Sequence, residues 1–119
     1  MQKNKFARTS SIQLNVGLNE AKMPVSIEWI SKDGPKACKA QPSKAFLLSI
    51  FEKETLDTLR IDLWTDDMEV KEMDRFFYQS LRGMADTYFR ATQNKELASD
   101  MQRFVQYFGE HTGILKKAG

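Results

Sequence analysis

A chain of 119 residues, 41% hydrophobic and 29% charged, has the size and composition of one globular domain with a real core. Its single cysteine excludes an intrachain disulfide, and no stretch approaches the roughly 20 apolar residues of a membrane span. A net charge of +2 is too weak to argue for nucleic acid, although residues 1–44 (eight Lys/Arg, three Asp/Glu) carry +5 and residues 45–119 (ten, thirteen) carry −3.

The opening MQKNKFARTSSIQLNVG is basic at first but lacks the apolar run of a signal peptide. With a lone cysteine favouring a reducing compartment, a soluble cytoplasmic protein is expected, its residues 1–9 a basic, flexible tail. The lysines of the first half are scattered and no aromatic residues interleave with them, so they read as solvated surface.

Residues 11–18, SIQLNVGL, alternate apolar and polar, the pattern of a half-buried strand. Residues 25–30, VSIEWI, alternate again after Pro24, whose missing N–H suits the first position of a strand. The two should form a hairpin. Residues 31–44, SKDGPKACKAQPSK, are loop chemistry, with Asp33-Gly34-Pro35 as a turn and Pro42 closing it. AFLLSIF (45–51) is apolar on both faces; periodicity does not separate a short helix from a doubly buried strand, and length favours the strand. LRIDLW (59–64) alternates with Leu59, Ile61 and Leu63 inward, which predicts a second hairpin.

From residue 69 the period lengthens. Val70, Met73, Phe76/Phe77, Leu81, Met84 and Tyr88 mark one face of a long amphipathic helix. ATQNK breaks it with Asn94 as N-cap, and Leu97, Met101, Phe104, Val105 and Phe108 stripe a second helix ended by Gly109 or Gly113. Strands followed by helices predict an α+β fold: a four-stranded antiparallel sheet of two hairpins, then two amphipathic helices packed on one face.

The densest chemistry lies in LRIDLWTDDMEVKEMDRFF (59–77). Asp62 shares a strand face with Arg60 and Trp64, so pairing of Arg60 and Asp62 with each other, or with a neighbouring strand, is more economical than a metal site. Thr65, Asp66 or Asp67 suits a helix N-cap, and Glu69, Glu72 and Asp74 suit the positive end of the helix dipole. No hard-cation loop spacing occurs. His111, the sole histidine, reads as a cation near a helix C-terminus. Cys38, between Lys36 and Lys39, has the neighbours that lower a thiol pKa, but an incidental loop thiol is the simpler reading. No catalytic residue, metal ligand or cofactor-binding group stands out, and the chain reads as a non-enzyme.

Aromatic residues are more abundant on the helices than one stripe needs, since Phe76 and Phe77, or Tyr88 and Phe89, cannot point the same way. In a single-layered sheet, Trp64 and the row Phe46, Leu48, Ile50 are both expected on the face away from the helices. Together with Arg60 and Asp62 they make the candidate partner-binding surface, for another protein or for a second copy of the chain.

The same middle segment carries a family resemblance. IDLWT-x-DM, then V-x-EM, FF-x-Q-x-L and MA-x-T-x-x-RAT, spanning Ile61 to Thr92, resemble the gliding motility-associated GldC family, with looser likeness in SIEWISKDG, AFLLSIFEKE and the closing Met101…Phe104…Phe108 helix. The chain departs from the pattern at Asp66 (a lysine expected), at Phe51-Glu52 (Trp-Asp expected) and in the Pro35–Pro42 loop. The resemblance implies a single domain over 1–119. It further implies a small cytoplasmic accessory protein of bacterial gliding motility, assisting an envelope machinery linked to secretion, with no catalytic activity or cofactor assigned. The first reading is therefore a non-enzymatic interaction protein, homo-oligomeric or with a motility or secretion partner. The second is a chaperone for secreted chains, since four strands followed by long helices are similar in outline to SecB.

Overall fold

The computed structural model describes residues 6–34 and 37–117. Residues 1–5 of the expected tail, and Pro35 and Lys36 of the expected loop, lie outside the described residues. The chain divides into two compact units, Met1–Met68 and Glu69–Gly119.

The first unit is all β. Strands β1 (Ile12–Leu18) and β2 (Pro24–Ser31) form the expected antiparallel hairpin, with Leu14 opposite Trp29 and Val16 opposite Ile27. At its turn the Asn19 carboxamide oxygen accepts from the Met23 N–H at 3.0 Å, and Lys22 takes a left-handed conformation. A register slip between Gly17 and Leu18 brings in Pro24, whose absent N–H leaves no donor unpaired at the strand start. Ile27 is the buried centre of this unit, 2% exposed.

The single four-stranded sheet expected from the sequence is not what forms. A short β3 (Gln41–Ser43) pairs with β2 and completes a three-stranded sheet, β1-β2-β3; β4 (Ala45–Phe51) and β5 (Thr58–Trp64) make a separate two-stranded one. The segment 41–43 looked like loop because QPS has no alternating pattern; it becomes a strand only through its ladder with Ile27–Trp29. The chain bends at Lys44, between β3 and β4, and the ladder changes partner there, so no strand pairs in both sheets. The Lys44 carbonyl accepts the Thr65 N–H at 2.8 Å, and the Pro24 carbonyl accepts the Asp66 N–H at 3.0 Å, tying the two hairpins together. AFLLSIF is thus a strand, not a helix.

The second unit is a helical hairpin of α1 (Val70–Thr92) and α2 (Lys95–Thr112). The N-cap of α1 is Glu69, not Thr65, Asp66 or Asp67. Those residues belong to a turn in which the Met68 N–H reaches the Thr65 carbonyl at 3.1 Å and the Thr65 hydroxyl donates to Asp67. Glu72 instead reaches back to accept from the Glu69 N–H at 2.9 Å, the returning arm of a capping box. Asn94 caps α2 as expected, its side chain accepting from the Leu97 N–H at 3.0 Å.

Of the two glycines proposed to end α2, Gly113 does so, at φ 82 in the left-handed region. Gly109 lies inside the helix and is buried. A Cβ built on it would stand 2.8 Å from Tyr78 Cε1 and 2.7 Å from Leu115 Cδ1, so the glycine lets α1 and the segment after α2 close onto this turn. Small residues line the interior elsewhere as well: Ala85 on α1 and Ala98 on α2 are buried.

Candidate functional site

The β4–β5 hairpin carries all six residues singled out as a partner surface, and its register decides which of them meet. Cross-strand partners are Ala45 and Trp64, Phe46 and Leu63, Leu47 and Asp62, Leu48 and Ile61, Ser49 and Arg60, Ile50 and Leu59. Directly opposed residues of an antiparallel pair share a face. Phe46, Leu48 and Ile50 therefore lie with Leu59, Ile61 and Leu63, whereas Arg60, Asp62 and Trp64 lie on the other face with Ser49, Leu47 and Ala45. The six do not form one surface; they divide three and three.

The first face is wholly apolar. Leu59, Ile61 and Leu63, expected to point inward, are not fully covered: Leu59 is 47% exposed and Ile61 40%, while Phe46, Leu48 and Leu63 are half-buried. The second face is mixed. Trp64 is 53% exposed, and beside it the Arg60 guanidinium holds Asp62 Oδ2 at 2.9 Å, the pairing their spacing predicted. The other oxygen of that carboxylate, Asp62 Oδ1, is buried and has no hydrogen-bond partner among the described residues.

Below the strand end, Thr65 is 4% exposed and ties the hairpin to its surroundings. Its hydroxyl lies 3.3 Å from the Lys44 carbonyl and 2.6 Å from Asp67 Oδ1. The Thr65 hydroxyl, with some help from the charge of Lys44, holds the Asp67 carboxyl below the usual aspartate range. Asp67 thus serves the turn.

The helices bear a separate aromatic surface. On α2, Phe104 contacts Tyr107 and Phe108 with ring centroids 6.1 and 6.2 Å apart, and Tyr107 stacks at 5.5 Å on His111, in the last turn of the helix. Phe104 and Tyr107 are more than half exposed. On α1, Phe76 and Phe77 diverge as their adjacency requires, meeting edge to face at 6.2 Å. An open cleft between the helices is lined by polar groups, among them Gln79, Arg82, Asp86 and Gln106. Cys38 is exposed in the β2–β3 connection with a left-handed backbone. Among the described residues, no three His, Cys, Asp or Glu side chains gather to hold a metal, and no helix is long and apolar enough to cross a membrane.

Leu59, Ile61 and Leu63, expected inward, thus join Phe46, Leu48 and Ile50 in one partly exposed apolar face.

A family model described as "Gliding motility-associated protein GldC-like" matches residues 24–114. Comparison with curated proteins and with solved structures found no match.

Proposed function

The chain belongs to the gliding motility-associated GldC-like family, and on that premise we propose that it is a cytoplasmic, non-enzymatic accessory of the motility apparatus, acting by protein–protein contact without a cofactor. The family match spans all of β2–β5 and both helices, so the whole candidate surface lies within it. The contact is assigned to the mixed face of the β4–β5 hairpin, around Trp64.

One observation carries this assignment. Trp64 is a large exposed aromatic on a strand, flanked by the Arg60–Asp62 ion pair. Interfaces draw most of their energy from such aromatic anchors, ringed by polar groups that fix register. A partner that covers Trp64 also meets the Arg60–Asp62 pair beside it, which can fix its register.

The test is complementation of gliding in cells lacking the protein, with wild type and Trp64→Ala compared at matched expression. Trp64→Ala is expected to fold normally by circular dichroism, yet to lose motility and the proteins captured by tagged wild type. Full motility with an unchanged set of captured proteins would remove Trp64 from the mechanism. If purified wild type suppresses aggregation of a denatured client, and loses that ability with Ile61→Lys but not Trp64→Ala, the secretion-chaperone reading prevails.

A further inference from the structure

Strand β4 has one edge with no strand beside it. It pairs with β5 along one side, and no described strand lies along the other. Backbone parity shows what that edge presents. The Thr65 N–H bonds to Lys44 O, and the Glu52 N–H to Asp57 O, at the two ends of the hairpin. Even-numbered residues of β4 therefore aim their N–H and C=O groups at β5. The odd-numbered ones, Ala45, Leu47, Ser49 and Phe51, aim theirs outward.

Such an edge is a template for another strand, and proteins usually blunt it with charge, proline or a bulge. The other edge strands of this unit carry those devices: Arg60 and Asp62 on β5, Pro42 on β3, and the register slip at Gly17/Leu18 on β1. AFLLSIF carries none of them. Such a row is solvated when it is free, and another strand is what matches it group for group.

We infer that the occupant is the β4 strand of a second copy of this chain, paired antiparallel about Leu48. The sequence is complementary to itself in that register. Leu48 meets Leu48 of the second copy; Phe46 meets Ile50, Leu47 meets Ser49, and Ala45 meets Phe51. Large side chains are thus opposed to smaller ones on the odd-numbered face, and the apolar row stays on one side. Phe51, 66% exposed at the strand end, gains cover over the smallest residue of the strand. A centre shifted by one residue to Leu47 or Ser49 would leave one end of each strand unpaired. Two hairpins, each marginal as a two-stranded sheet, become one four-stranded sheet. The two-fold axis makes the contact isologous and closed, which removes the edge instead of propagating it. This inference is independent of the Trp64 reading, which concerns one face of the hairpin and not its edge.

Because Ala45, Leu47, Ser49 and Phe51 hold the outward groups, Leu48 and its copy form a non-hydrogen-bonded pair, the closer of the two pair types. In a Cys38→Ser background, Leu48→Cys is expected to cross-link into a covalent dimer under mild oxidation, and Leu47→Cys is not. Wild type should have twice the 13.8 kDa chain mass by light scattering. Ser49→Lys, which places a charge on the exposed edge, should return it to the mass of one chain while its circular dichroism is unchanged. A wild type with the mass of one chain would overturn the inference. So would an oligomer that Ser49→Lys leaves intact and Leu48→Cys does not lock.

Discussion

Adding one methyl group at Gly109 and one at Gly83 should move stability in opposite directions. Both glycines lie inside helices, so alanine brings each a similar intrinsic gain of about 1 kcal/mol. At Gly83 a Cβ meets nothing within 4 Å, and the gain is realised in full. At Gly109 it would stand 2.7 and 2.9 Å from two Leu115 carbons and 2.8 Å from a Tyr78 carbon, roughly 1 Å inside the ordinary carbon–carbon separation. Overpacking of this kind costs about 1–3 kcal/mol, and contact with two separate side chains places the cost near the upper end. The net loss for Gly109→Ala is then on the order of 1–2 kcal/mol, against a gain of about 1 kcal/mol for Gly83→Ala. For a chain of this length each kcal/mol moves the midpoint by roughly 3–6 °C, so thermal melts separate the two variants readily. Leu115→Ala in the Gly109→Ala background should recover part of the loss, because the two positions touch and their effects couple. Gly109→Ala at or above wild-type stability would refute the reasoning, since it would mean that Leu115 and the Tyr78 ring give way freely.

Asn94→Ala removes the acceptor for the Leu97 N–H and should cost about 1 kcal/mol in urea unfolding, with Asn94→Asp close to neutral. Thr65→Val removes the hydroxyl that stabilises ionised Asp67, so NMR titration should show the Asp67 pKa rising toward the ordinary aspartate value of about 3.9. The sign for stability follows from the depressed folded-state pKa. This contribution is present above the unfolded aspartate value and is lost as pH falls through the folded one; Thr65→Val should therefore flatten the acid limb of the stability profile.

What the sequence determines by itself is what short-range periodicity can encode. Alternation in IQLNVGL and LRIDLW marks two strands, and three- and four-residue spacing marks both helices. Asn94 declares its cap because capping is settled within three residues. The Arg60–Asp62 pair is legible for the same reason, being two positions apart on one strand. The family is legible too, because its motif is a run of residue types and needs no geometry.

The tertiary structure decides everything that depends on how separate segments pair. QPS becomes β3 only because β2 lies alongside it. The N-cap moves to Glu69 because Thr65 and Asp67 are held in a turn fastened to the Lys44 carbonyl, which is distant in sequence. The division of the candidate surface turns on the register of β4 and β5, set across a connection of six residues, 52–57. A slip of one residue would exchange every side chain between the two faces. A strand apolar on both sides gives no local clue to which parity is chosen. Only the ladder places Phe46, Leu48 and Ile50 with Leu59, Ile61 and Leu63, and leaves Trp64 with its ion pair on the opposite face.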